Sequence, residues 1–490
     1  MITQSNCVHS ITVRPLTCCF GPGNGSNQAD QSSPTFETRA SRGDRQRTLC
    51  TATFITTRSI MCLVWVVGLV LGSGPLQSQG ITSSWPTLDL ADRWIEDAQL
   101  QDVNSEGQLS YQTQAGIESI ELGRVVRWER GRPARRSSLL WLGDGTWLAG
   151  ELDWPSSERV RLKSDWFQPV QFELSELRGI IFKPPLDSVD FAELQRRMSS
   201  VSGADDVVWN RKSEELTGVL SLRMRASPNA SLPLVASWSL QPTGAVESTP
   251  LNLDSLQAIV LSPVLRAPLA PVEHPVMIEL TDGSQLMHVH ALERKADGSV
   301  SILLADQSRL QSIDSASEFV ESCVRIQGEP EGVVWLSTVT PARYRFLSEQ
   351  SILAWPLGRD QDLFGRAISV GRQPVARGLT IHAPAQVAYR WDGSPAKFLA
   401  EVSLLALDSD LSPLPGSADC KVLVARDGAL VEVCKTPTLR APSPAVRVQV
   451  DLTGAQLLVL IVEESDQGTV GDHVLWREPR IVQPKKNSSR

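Results

Sequence analysis

The 490-residue sequence is poor in tyrosine (3) and histidine (6) and holds only 8 cysteines. Scarce His leaves little material for His-built metal centres. After residue 62 the cysteines are Cys323, Cys420 and Cys434 alone, which excludes a scaffold built on disulfides. Positive charge is not in excess: 47 Lys and Arg stand against 55 Asp and Glu. The net −8 supplies no electrostatic footprint for nucleic acid, and none is expected as a partner. No apolar run reaches the ~20 residues that span a bilayer. Signatures of catalysis are missing too: G-x-S-x-G, H-E-x-x-H, a P-loop, a strand-borne G-x-G-x-x-G and C-x-x-C do not occur. The adjacent pairs Asp205-Asp206 and Glu463-Glu464 would point to opposite faces of a strand. A carboxylate pair drawn from distant segments stays open, and with it a hydrolase reading.

What is present is a globular composition, 41% hydrophobic and 21% charged, with tryptophan over-represented (14 Trp, 11 Phe). The length suggests about three domains. Residues 1–80 read as a leader. The first 60 contain neither Trp nor Tyr and carry six Arg against three acids. Ile60–Leu71 is an apolar run of signal-peptide length, preceded by Arg58. Gly72-Ser73-Gly74 or Ser78-Gln79-Gly80 would be the cleavage site, and Met61 is an alternative start. The expectation is an exported protein (periplasmic, cell-surface or secreted) with no transmembrane segment in its mature chain.

The remainder reads as all-β, with short alternating runs separated by Asp-Gly and other turns. Residues 81–120 read as a linker with a short helix near Leu90–Ala98. Small β-barrel-like repeats, resembling the Sm-like plan, are expected at 121–186, 203–264 and 272–340. A helical connector is expected at 187–202, with Phe191, Leu194 and Met198 at helical spacing. Leu174, Leu177 and Ile180 recur 79 residues later as Leu253, Leu256 and Ile259. Trp141 and Trp147, flanking Gly143-Asp144-Gly145, should pair across a hairpin, as a core pair or as a stacking surface. His288-Val289-His290 puts two imidazoles on one strand face, too few for a catalytic zinc. A three-residue loop at Arg426–Gly428 would make Cys420 and Cys434 cross-strand partners, as a disulfide or as two thiols.

From 345 to 482, with a polar tail at 483–490, the motifs sharpen. Arg377-Gly378-Leu379-Thr380-Ile381-His382, the Asp427-Gly428 hairpin, Asp451-Leu452-Thr453-Gly454-Ala455 and Asp472-His473-Val474-Leu475-Trp476 follow in order. Here the chain resembles the NPCBM family, the carbohydrate-binding module named from glycosyl hydrolase family 98 proteins. One departure is that the family's Gly-x-Asp after the Phe-containing strand is replaced by Val402–Asp408, moving or removing that Asp.

The resemblance implies a galactose-binding-like jelly-roll β-sandwich, non-catalytic, that holds a glycan or cell-surface polysaccharide. No cofactor is expected, apart from an optional structural calcium. A sugar site needs a flat aromatic face with polar groups at its rim. The candidates are Trp355, His382, Tyr389, Trp391, Asp472, His473 and Trp476, although for Trp476 and His473 the favoured reading is that they close the sandwich, with His473 hydrogen-bonded to backbone. The alternative function is a structural or assembly protein whose sandwich contacts another protein.

Overall fold

A computed structural model describes residues 86–484 except 136, 213, 226–234, 263, 265–271, 305–307, 349–353, 371–372, 406–415, 442, 467 and 469–470. The leader, with its 60–71 run, and Asp408 lie outside the described residues. Among the described residues the architecture is all-β, with two short α-helices, Ser188–Ser199 and Ala316–Ser322.

Four units, not three, precede the sandwich, and they share one plan. Each has a first strand, a second that pairs with it, two or three more antiparallel strands, a helical turn or short helix and a last strand that returns to pair with the first. In the second unit these are Ser138–Leu142, Trp147–Asp153, Arg159–Lys163, Val170–Glu173, the turn Leu174–Glu176 and Leu177–Ile181. The third unit runs from Asp206–Asn210 to Leu256–Val260, and the fourth from Val276–Leu280 to Cys323–Gly328. Curling each sheet back on its first strand hides an edge and turns one face of the first and last strands into the core.

The additional unit corrects the expected linker. Leu88–Leu90, Trp94–Ile95, Gln99–Val103, Leu109–Thr113 and Gly116–Ile120 are strands, followed by the turn Leu122–Arg124 and the last strand Val125–Glu129. The helix expected at Leu90–Ala98 is two short strands. Asp97, in the left-handed region at φ 50°, turns the chain between Trp94–Ile95 and Gln99–Val103.

The units join through their last strands in two equivalent pairs. Leu177–Ile181 pairs with Leu256–Val260, placing Ile180 opposite Ile259. Val125–Glu129 pairs with Cys323–Gly328, placing Trp128 opposite Ile326. These four residues hold the same position, fourth in each last strand, so each junction is a local two-fold. All four are buried in one shared core.

The helix Ser188–Ser199 is capped by Asp187, whose carboxylate accepts from the amides of Val189 and Asp190. Phe191, Leu194 and Met198 form its buried face. They pack on Trp141 and Trp147, whose rings stack at 5.0 Å and 6°. That tryptophan pair is core, 7% and 4% exposed.

The C-terminal sandwich has two facing antiparallel sheets. One contains Gly358–Arg359, Gly378–His382, His473–Val482, Lys397–Leu404 and Val446–Asp451. The other contains Arg343–Phe346, Ala385–Arg390, Leu457–Glu464, Ser417–Arg426 and Ala429–Lys435. Val333–Trp335 also pairs with His473–Val482, so the sandwich begins before residue 345. Leu457–Val462, the continuous apolar run, lies between two neighbours, Ala385–Arg390 and Ser417–Arg426.

The cysteine expectation is corrected in register. Arg426 pairs with Ala429, so the loop is Asp427-Gly428 alone, with both residues at positive φ (50° and 77°). A bulge between Val422 and Leu423 then sets Cys434 opposite Val422. Cys420 faces Val462 on the other neighbour, and both thiols are free.

Candidate functional site

Two strand ends meet at one end of the sandwich. His382 closes Gly378–His382 and His473 opens His473–Val482, and the register places them opposite each other. Their rings lie 4.9 Å apart, edge to face at 87°. Trp355 stacks flat on His382 at 4.7 Å and 3°, and meets His473 edge-on at 5.5 Å. The hydroxyl of Tyr344 donates to the Trp355 carbonyl at 2.9 Å, holding that loop against the sheet.

Phe364 completes the cluster, 5.8 Å from Trp355 and 6.1 Å from His473. Its loop is pinned by Asp362, buried at 5% exposure. One Asp362 oxygen accepts from the amides of Phe364 and Arg366, both at 2.8 Å, and the other from the Arg366 guanidinium at 2.8 Å. Arg366 lies over the Phe364 ring at 5.3 Å. Phe364 is 54% exposed, although the carboxylate that pins its loop is buried.

Behind this surface sits Asp472, fully buried. Its Oδ1 accepts from the Ser417 amide at 2.7 Å and its backbone carbonyl from the Ala383 amide at 3.1 Å. Among the described residues, Oδ2 of Asp472 and Nδ1 of His473 have no hydrogen-bond partner. Burial pushes the Asp472 carboxyl up to about 6, opposed by the Ser417 amide. Burial, with the neighbouring His382, pushes His473 down to about 4, while Asp362 acts the other way. His382 is also lowered by burial, against its contact with the Ala383 carbonyl. Neutral imidazoles stack without paying for a buried charge.

Four of the seven expected residues, Trp355, His382, Asp472 and His473, therefore come together. Tyr389 and Trp476 do not join them: at 1% and 0% exposure they fill the space between the sheets. Trp391 lies past the far end of the six-residue strand Ala385–Arg390, about 20 Å away at the rise of a β-strand. Its Nε1 donates to the Ser394 carbonyl at 2.9 Å, closing a turn. Phe364, Asp362 and Arg366 were missed. The only sequence signal was an aromatic beside Gly365 in an Asp-rich loop. His288, at φ 55°, precedes its strand and His290 sits at a bulge, exposed. Among the described residues no three His, Cys, Asp or Glu gather as metal ligands, and no helix is long and apolar enough to cross a membrane.

The fold and this end of it define a β-sandwich module with an aromatic loop surface, the class to which carbohydrate-binding modules belong. Residues 332–482 match the NPCBM/NEW2 domain family. Among solved structures, the chain is similar to the CBM51-2 and INT domains of Clostridium perfringens ZmpB. Identity there is 20%, over 38% of this chain and 36% of that one, with a TM-score of 0.26. It is also similar to a CBM51 module from Clostridium perfringens GH95 in complex with methyl-galactose (16% identity, 31% of this chain, 99% of that one, TM-score 0.26). A third is the tandem CBM51 modules of a Streptococcus pneumoniae family 98 glycoside hydrolase (11%, 71% and 88%, TM-score 0.25). This chain thus spans little more than a third of the first of these. No curated protein matches it.

Proposed function

We propose that this is an exported, non-catalytic carbohydrate-binding protein that holds a glycan at the Trp355–Phe364 end of its C-terminal sandwich. One observation carries the reading: an aromatic ring 54% exposed to solvent, held by a buried carboxylate beside a half-buried tryptophan. Leaving a phenylalanine in water costs apolar burial, and a ligand's C–H-rich face would recover it. Arg366, its side chain 59% exposed, supplies donors at the rim for hydroxyl groups. The NPCBM/NEW2 match over the same residues supports the sugar class. The apolar run 60–71 supports export to where polysaccharides are met.

The test is glycan-array screening of the purified full chain, followed by titration of whichever oligosaccharide binds. Phe364→Ala should weaken binding at least tenfold with an unchanged circular dichroism spectrum, and Trp391→Ala should leave affinity unchanged. Loss in Trp391→Ala alone would move the site to the opposite end. Absence of any glycan binding would overturn the proposal.

A further inference from the structure

A cavity of about 320 Å³ lies away from this site, where the fourth unit, the helix Ser188–Ser199 and the edge of the sandwich meet. Its walls include Phe191, Met277, Trp335 and Val375, so the interior is mostly apolar. Arg325 and His288 also line it.

Arg325 is only 9% exposed, and its Nε has no partner among the described residues. Its Nη2 lies 2.9 Å from Glu279 Oε2, and Nη1 donates weakly to the Pro374 carbonyl at 3.5 Å. The same Glu279 carboxylate also takes the guanidinium of Arg135 and the side-chain amide of Gln285. Two buried guanidiniums thus share the Glu279 carboxylate, while Glu129 faces Arg325 across the strand pair and Asp187 acts on Arg135. Nδ1 of His288 is buried and unpartnered as well. The other charged residues lining the cavity are already matched: Arg377 pairs with Glu329, and Glu478 with Arg127. A buried donor without an acceptor is costly unless something supplies one.

We infer that this cavity is a second ligand site, which takes a small monocarboxylate with an apolar or aromatic body. The body fills the space among Phe191, Met277 and Trp335, while the carboxylate accepts from Arg325 in a low-dielectric setting where charge-assisted bonds are strong. The volume lies at the small end of the usual range for ligand pockets, which favours a compact acid over a sugar chain.

The experiment is calorimetric titration of the full chain with benzoate and hexanoate, against benzyl alcohol and hexanol as neutral counterparts. The acids should bind at least tenfold more tightly than the alcohols. Arg325→Met should abolish that preference. Because that variant leaves Glu279 with one partner fewer and can unfold, Ala192→Phe is the second test. It fills the cavity from a half-buried position on the helix, and should abolish binding of both classes with the fold intact. Equal affinity for acids and alcohols, no acid binding at millimolar concentration, or unchanged binding in a folded Ala192→Phe would each overturn the inference.

Discussion

Arg480 and Asp89 are hydrogen-bonded to each other inside the protein, 391 positions apart in sequence, at 2.5 Å. Arg480 is 0% exposed and Asp89 1%. The guanidinium also donates to the carbonyls of Ala91 (3.0 Å), Leu90 (2.9 Å) and Glu478 (3.3 Å), so its donors are fully used. The bond ties the first strand of the first unit to the last strand of the sandwich. Arg477 with Glu129 (3.0 Å) and Arg127 with Glu401 (2.5 Å) span the same boundary. The sandwich is thereby built into the units before it.

Removing Arg480 leaves the buried Asp89 carboxylate with Arg127 as its sole ion-pair partner among the described residues, 3.9 Å away. Arg480→Met should therefore cost about 3–5 kcal/mol in urea unfolding. Asp89→Asn with Arg480→Met should recover much of that loss, because no orphan charge remains. A single-variant cost under about 1 kcal/mol would show that the pair does not hold the boundary.

The two junctions between units make a matching prediction. A Cβ at Gly179 would lie 2.4 Å from the Ile259 carbonyl oxygen, and one at Gly328 would lie 2.4 Å from that of Val125. Both glycines let last strands approach as a side chain would not. Gly179→Ala or Gly328→Ala should each cost more than about 2 kcal/mol. Gly123→Ala, with nothing within 4 Å, should stay within about 0.5 kcal/mol of the parent protein. Equal effects at all three positions, read from urea midpoints, would contradict this account.

Sequence pattern suggested strand clusters at 121–186, 203–264 and 272–340, from alternating strands and from the recurrence of Leu174–Ile180 as Leu253–Ile259, although the first of these ranges also takes in Val125–Glu129, the last strand of the first unit. The first unit escaped that reading. Strands of two or three residues, such as Trp94–Ile95, carry no period, and Leu90, Trp94 and Ala98 happen to fall at helical spacing. The cysteine register failed twice: the loop is two residues rather than three, and a bulge then shifts every later pairing, and neither leaves a mark in composition. At the candidate site, His382 and His473 stood in recognisable motifs at strand ends. Phe364 lies in a loop, where no periodicity separates an exposed ring from a buried one.

The corrected register predicts thiol behaviour. Cys420 and Cys323 are buried at 0% and 1% exposure, and burial raises both thiols, Cys323 to about 12. Cys434 is half-buried and raised by burial and by Glu432. Alkylation of the native protein at pH 8, with peptide mapping, should modify Cys434 in preference to the other two. All three should react once the chain is unfolded. A peptide linking Cys420 to Cys434 under non-reducing conditions would refute the register.

The last prediction comes from the opposed shifts at the candidate site. Asp472 is raised to about 6 in the folded protein, so between pH 4 and 6 the folded state keeps a proton that the unfolded chain releases. Its contribution is fully present below pH 4 and is lost as pH rises to 6. His473 is lowered to about 4, so the unfolded chain takes up a proton that the folded state refuses between pH 6.5 and 4. That contribution is present above pH 6.5 and is lost as pH falls, with His382 acting in the same sense. The two slopes oppose each other, each at most about 1.4 kcal/mol per pH unit. Asp472→Asn should therefore make the protein more acid-sensitive than its parent between pH 6 and 4, whereas His473→Gln should make it less so. Urea midpoints taken every half pH unit would read both. If the two variants shift the slope in the same direction, the ring cluster and the carboxylate behind it do not titrate as opposed groups, because opposite deviations can arise only from groups that bind protons in opposite senses on folding.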